Sequence, residues 1–237
     1  MTHLIERIHL GLKELGVAHT QQQTEQLFRY LDMMLGVNQY MNLTAIRDPE
    51  TAIDLHLLDS ATLLTVVPPH KGDRIMDVGT GGGLPGMVLA ILRPDCHVTL
   101  CDATRKKVEF LNGVIETLGL TNAVAIQGRA EEIALSDDHR DGYDYVTARA
   151  VAALNLLCEY CLPLTRPGGV FVAMKGKRGL EELNEAKNAY RTLCASVPQL
   201  IRSPLSGTEC CIIKAKKARP TPKGYPRSGG AMRKRPL

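Results

Sequence analysis

The sequence predicts an α/β protein: a mostly parallel, Rossmann-like sheet with helices on both faces, preceded by a helical cap. Three observations carry that expectation. Residues 75–86 read IMDVGTGGGLPG, a short apolar run entering a glycine-dense turn and then a helical start. From Gly72 onward, apolar runs of strand length alternate with segments of helical periodicity, the pattern of a parallel sheet. Ahead of that point the apolar residues recur at helical spacing.

Taken in order, Leu4, Ile5, Ile8, Leu12 and Leu15 share one stripe behind a capping Thr2, and Gly16 stops that helix. Thr20 and Gln23 have capping-box spacing ahead of Leu27, Phe28, Leu31, Met34 and Leu35. Asp48-Pro49-Glu50 opens a third helix through Ile53, Leu57, Leu58, Ala61 and Leu64, which Pro68-Pro69 ends. Strands are expected near 73–78, 97–101, 123–127, 143–148 and 170–174, with helices near 85–92, 104–118, 151–162 and 179–195. Pro167-Gly168-Gly169 reads as the turn into the fifth strand, and two late strands near 198–203 and 208–215 as a hairpin at the sheet edge. Residues 218–237, rich in Pro, Gly, Lys and Arg, have no periodicity and are expected to lie extended or disordered. The resulting division is a helical cap over 1–68, a Rossmann-like domain over 69–217 and a basic tail over 218–237.

Hydrophobic content of 44% and charged content of 23% are those of an ordinary soluble protein. No apolar run approaches the roughly 18–20 residues of a membrane span, and the first residues form an amphipathic helix rather than a signal peptide. Seven cysteines at irregular spacings fit reduced thiols in a cytoplasm. Cys158-x-x-Cys161 has no second pair at ligand spacing, so buried thiols are favoured over a metal. Charge is uneven along the chain. Nine of the 29 basic residues and none of the 25 acidic ones follow Glu209, which leaves the body at −5 and the tail at +9. That asymmetry points to a polyanionic partner such as nucleic acid, or to a solvated end that only aids solubility.

Gly79, Gly81, Gly83 and Gly86 let the backbone approach a ligand closely. Gly81-x-Gly83-x-x-Gly86 matches the dinucleotide fingerprint, and Asp102 closes a second strand about 25 residues beyond Asp77, near the expected offset of a ribose-binding acid. Asp77 disfavours a pyrophosphate, because a carboxylate there is repulsive. It suits a ligand with a cationic end, such as S-adenosylmethionine, whose ribose hydroxyls Asp102 could accept. The adenine edge then falls near Gly128-Arg129-Ala130-Glu131-Glu132, held by backbone N–H groups or by Glu131. The alternative for Asp77 is a turn acid or helix N-cap.

The ordered set NLTAIRDPE, HLLDS, DVGTGGGLPG, CDATRKKVEFL, GRAEE, TARAVA and AMKG, from about Asn42 to Lys175, resembles the bacterial RsmG (GidB) family of 16S rRNA methyltransferases. The resemblance implies a class I S-adenosylmethionine methyltransferase fold and methylation of a guanine N7 in the 530 loop of small-subunit rRNA, free or within the subunit or its precursor. Carried onto this chain, it implies Gly79 and Leu84 as cofactor contacts, Ala130 and Glu131 on the adenine side, and Arg149 at the cofactor–substrate junction. Asn42, His56 and Arg129 fall on motif positions near the pocket mouth. Many members carry an arginine in the last hairpin, whereas this segment reads SGTECCIIKAKK.

The residues fit that chemistry by omission as well. Guanine N7 carries a lone pair and no proton, so methyl transfer demands placement rather than a general base. The fourth strand ends TARAV, without an Asn/Asp-Pro-Pro-aromatic run or a nucleophilic cysteine. Arg149 could donate to guanine O6 or a phosphate, or pair with a body carboxylate. A lone helical histidine such as His56 is more often packed or solvated than functional. Asn42 could reach RNA or cap a turn, and Lys175 could line a pocket or be solvated. Tyr40 is a candidate stacking surface, and Arg47, Arg105, Lys106, Lys107 and the tail are candidate phosphate contacts. Two other functions stay open: a nicotinamide-dependent oxidoreductase, and a non-catalytic rRNA-binding assembly factor.

Overall fold

The computed structural model describes residues 2–205 and 209–237. Its sheet runs β3-β2-β1-β4-β5-β7-β6, with β1 Arg74–Val78, β2 His97–Asp102, β3 Ala123–Gln127, β4 Tyr143–Arg149, β5 Thr165–Lys175, β6 Gln199–Arg202 and β7 Cys211–Lys216. The first five strands are parallel, and β7 lies antiparallel between β5 and β6. Strand order reverses between β1 and β4, which opens a crevice at the carboxyl ends of the strands.

The two-residue period of the strands sorts their side chains into two cores. Ile75, Tyr145 and Val172 enter one face, while Met76, Val146 and Phe171 enter the other. The first face is covered by α1 Thr2–Glu14, α2 Gln21–Met41, α6 Gly86–Leu92 and α7 Arg105–Leu118; the second is covered mainly by α9 Leu154–Cys161 and α11 Lys187–Thr192. Ile8, Leu27 and Tyr30 of the N-terminal helices share one buried cluster with Ile75 and Leu100: α6 and α7 lie on the sheet, α2 packs on both of them and α1 packs on α2. Among the described residues no helix is long and apolar enough to cross a membrane.

Local signals hold where short-range hydrogen bonds decide the outcome. The Thr20–Gln23 capping box forms in both directions, and Gly16 takes the left-handed conformation after α1. Thr2 is the first helical residue rather than a cap, and Met1 lies outside the described residues. The third helix starts as expected, with Asp48 Oδ2 accepting from Thr51 N at 2.8 Å. It is not continuous: α3 Pro49–Ala52 widens into a π-helical segment Ile53–Leu58 before α4 Asp59–Ala61 and α5 Leu63–Val66. The helix expected over 179–195 is two, α10 Gly179–Glu185 and α11, and a short α8 Ala130–Ile133 was not foreseen. Pro167-Gly168-Gly169 lies inside β5 rather than before it. There the register with β4 slips, and a Cβ at Gly169 would sit 2.8 Å from the Asp144 carbonyl oxygen. The late hairpin forms at the sheet edge, but Thr208, its expected second-strand start, lies outside the described residues and pairing begins at Cys211.

The tail departs most from expectation. Residues 218–237 fold back over the second face and end in α12 Gly229–Lys234. Two buried polar anchors explain why this Pro/Gly-rich segment is ordered. Lys217 is fully buried, its Nζ donating to Leu162 O at 2.6 Å, Thr221 Oγ1 at 2.7 Å and Asp141 Oδ1 at 3.1 Å. Arg227 forms a two-pronged pair with the buried Glu159, Nε to Oε1 at 2.9 Å and Nη2 to Oε2 at 2.6 Å. Two of the nine tail charges are therefore matched inside the protein. Removing one partner of a buried pair strands the other charge. Arg227→Ala should lower unfolding stability by about 3 kcal/mol, read from the urea midpoint; a loss below about 1 kcal/mol, the usual size for exposed pairs, would contradict the anchoring role.

Candidate active site

At the end of β1 the glycine turn is held from beneath by Asp77. Its carboxylate is fully buried, and Oδ2 accepts from Thr80 Oγ1 at 2.6 Å and from Gly86 N at 2.8 Å. One oxygen thus ties both ends of the turn. Burial pushes the Asp77 pKa up to about 7, against the two hydrogen bonds that lower it. From the other side, Tyr30 Oη of α2 donates to Gly82 O at 2.9 Å. Asp77 therefore acts as the turn acid: it is buried beneath the loop, and the cavity beside the loop is bordered by Val78 and Gly79 instead.

The glycines divide by task. Gly79 and Gly81 have φ of 66° and 60°, a region costly for other residues, and the Gly81 N–H donates to Asp102 Oδ2 at 3.0 Å. Gly83, at φ 109°, needs glycine for both reasons, since a Cβ there would also stand 2.9 Å from Tyr30 Oη, and Gly86 needs it for packing, a Cβ standing 2.7 Å from Asp77 Oδ2. Leu84 is buried in the core under the turn and does not border the cavity.

That cavity, of about 350 Å³, lies at the carboxyl ends of β1, β2 and β3. Gly79, Asp102, Arg129, Ala130 and Glu131 border it, as do Val151, Tyr160 and Arg233, which sequence reasoning had not placed there. Asp102 is nearly buried, with Oδ1 accepting from Thr104 N at 2.8 Å and Oδ2 from Gly81 N. Each oxygen keeps a lone pair for a vicinal diol. Glu131, also nearly buried, stands in the first turn of α8. A ribose acid, a glycine wall and a carboxylate at the far end fit an adenosyl ligand.

A second cavity, of about 510 Å³, shares Val151 and Ala152 with the first. Arg149, Asp59, Lys175 and Glu182 border it. Strand parity sends Arg149 to the face of Tyr145 and Thr147, toward the N-terminal helices. There its Nη1 donates to Leu55 O at 3.1 Å and to Asp59 Oδ2 at 3.2 Å. Burial raises the Asp59 pKa and Arg149 opposes it. Lys175 is largely buried, donating to Ala152 O and to Glu182 Oε2 at 2.6 and 2.7 Å, so it belongs to the pocket wall.

His56 sits inside the protein rather than at a mouth. The π-helical widening turns it back on Thr44, with Nε2 2.7 Å from Oγ1 and Nδ1 3.1 Å from Leu55 O. The Leu55 carbonyl can only accept, so the neutral ring carries its proton on Nδ1 and Nε2 accepts from Thr44 Oγ1, which itself accepts from Ile46 N. Burial, then Arg149, lowers the His56 pKa from 6.5 to about 4. The neutral ring braces the Leu55 carbonyl that Arg149 also uses. Asn42 is exposed, in the left-handed conformation that ends α2. Tyr40, in the last turn of α2, is 75% exposed.

This sheet, with a cavity bordered by Gly79, Asp102 and Glu131 at the carboxyl ends of its first three strands, has the class I S-adenosylmethionine-dependent methyltransferase fold. A methyltransferase of that kind from Aquifex aeolicus superposes with TM-score 0.54 at 18% identity, over 71% of this chain and 93% of its own. The chain belongs to the family described as rRNA small subunit methyltransferase G, whose profile matches residues 23–203. The ribosomal RNA small subunit methyltransferase G of Pelotomaculum thermopropionicum is 41% identical over the whole of both chains. That of Lachnoclostridium phytofermentans is 42% identical over 96% of this chain and 95% of its own.

Asp77→Ala should destabilise the fold by about 2–3 kcal/mol, because it strands the Gly86 N–H and the Thr80 hydroxyl. Asp77→Asn, which keeps an acceptor, should cost less than half of that in the same urea titration. The His56 shift sets a pH window. The unfolded histidine takes its proton near pH 6.5 and the folded one only near 4, so this group withdraws stability as pH falls between those values. The unfolding free energy of His56→Gln should show a shallower slope against pH in that range than the wild type; parallel slopes would contradict the assignment.

Proposed function

We propose that this chain transfers a methyl group from S-adenosylmethionine to N7 of a guanine in the 530 loop of small-subunit rRNA. The observation that carries the reading is the pair of cavities meeting at Val151–Ala152, one with a ribose acid and the other with a cationic junction residue. When bound, the cofactor supplies an electrophilic methyl on a sulfonium. Asp102 holds the ribose through the lone pairs left free by Gly81 and Thr104, and Glu131 with the Ala130 backbone takes the adenine edge. The loop backbone from Gly79 forms the floor beside the donor.

On the acceptor side, Arg149 presents the guanidinium nitrogens not used by Leu55 and Asp59. These can donate to guanine O6 or to the flanking phosphate while N7 stays free. No residue has to remove a proton, which agrees with a His56 that is buried, neutral and hydrogen-bonded at both nitrogens. Its role is positioning, through the Leu55 carbonyl. Reaching N7 inside structured RNA requires the base to be exposed or flipped, and the exposed Tyr40 is the available aromatic face. Arg129 is exposed at the rim of the donor cavity, and Asn42 is exposed at the end of α2, so both are RNA-contact candidates. Arg47, Arg105 and Lys106 add exposed positive charge for phosphates.

The test is transfer of labelled methyl to small-subunit rRNA, mapped by primer extension after cleavage at N7-alkylated guanines. A single stop in the 530 loop is expected. Label that resists this cleavage, or none at all, would overturn the reading. Asp102→Ala should weaken S-adenosylhomocysteine binding about tenfold or more by calorimetry. Arg149→Ala should cut methyl transfer about a hundredfold while leaving that affinity within about threefold.

A further inference from the structure

We infer that the C-terminal strap is part of the cofactor site, and that Arg233 is a cofactor-contact residue forming the outer wall of the adenine end. The inference rests on the cofactor reading of the cavity between β1 and α8. Its starting point is geometric. Arg233, on α12, borders that cavity together with Glu131 and Tyr160, although it lies about 100 residues from Glu131 and about 150 from the glycine turn in sequence.

The strap is held there, rather than resting there. Arg227 is locked to Glu159 of α9, Arg140 donates to the carbonyls of Tyr225 and Thr221, and Met232 is fully buried. Ser228 Oγ caps α12 by accepting from Ala231 N. The approach to the site is close: a Cβ at Gly229 would meet Glu131 Oε1, so any larger residue there has to displace that carboxylate. The same hypothetical atom would stand 3.6 Å from Arg233 Nη2, so the guanidinium and the Glu131 carboxylate flank a common spot. The near-burial of Glu131 is thus partly the work of the strap.

Among the described residues Arg233 has neither an ion pair nor a hydrogen bond, unlike Arg227 and Arg140. An unpaired guanidinium beside a carboxylate at the end of a cavity is matched to a neutral, planar, nitrogen-rich ring. The guanidinium can stack on the ring face while Glu131 accepts from its exocyclic amine. The charge of the strap then divides. Lys217 and Arg227 hold it down, while Arg233 is exposed at the rim of the cavity and Arg219, Lys223, Lys234 and Arg235 are exposed elsewhere on the strap.

The experiment compares S-adenosylhomocysteine and rRNA binding for the full-length wild type, Arg233→Ala, Arg233→Lys and Arg235→Ala. Arg235 carries the same charge in the same terminal turn but does not border the cavity, so it controls for net charge. Arg233→Ala should weaken S-adenosylhomocysteine about tenfold, Arg233→Lys should lose part of that, and Arg235→Ala should match the wild type. Affinity for rRNA without cofactor should stay within about twofold for Arg233→Ala. Unchanged S-adenosylhomocysteine affinity in Arg233→Ala, or an equal loss in Arg235→Ala, would overturn the inference while leaving the cofactor reading intact. A wild-type chain that binds no S-adenosylhomocysteine would remove both.

Discussion

The architecture of the site depends on a single buried carboxylate oxygen. Asp77 Oδ2 bonds Thr80 and Gly86, so one side chain closes the glycine turn at both ends. That closure aims the Gly81 N–H at Asp102, which couples the end of β1 to the end of β2, and it exposes Gly79 to the donor cavity. The cost is a carboxylate out of water, visible in its raised pKa. Tyr30 and Met34 of α2 back the turn from the other side.

This explains why the N-terminal helices and the sheet share one core. α2 supplies the hydroxyl that satisfies Gly82 O, and the π-helical segment supplies the carbonyl that orients Arg149. The donor side is shaped mainly by strand ends and the acceptor side by the junction of β4 with the helical segment. Only the second arrangement needs the irregular winding at 53–58, because a regular helix would rotate His56 and Asp59 away from their present partners.

Much of this was legible in the sequence, for reasons that can be named. Strand alternation, the Thr20 box, the Asp48 cap and the Asp102 position are set by short-range rules, and each is found where those rules put it. What escaped depends on distant partners. Asp77 reads equally well as a ligand acid or a turn acid until its neighbours are seen. Gly83 and Gly86 look like ligand glycines, but their lack of a side chain answers to Tyr30 and to Asp77. The tail reads as disordered because its composition has no periodicity, yet Glu159 and Asp141, far away in sequence, hold it through ion pairs. Lys175 could not be placed from its own position, since its partner Glu182 is on the following helix and its other acceptor is a backbone oxygen.

The partition at Val151–Ala152 has one more consequence. The same short stretch faces both chambers, and Lys175 grips its Ala152 carbonyl from the acceptor side. In the proposed reading, a donor in one chamber and a base in the other would press on opposite sides of this wall, two residues thick. Linkage of this kind is reciprocal: whatever factor of tightening the donor lends to the nucleic acid, the nucleic acid returns to the donor.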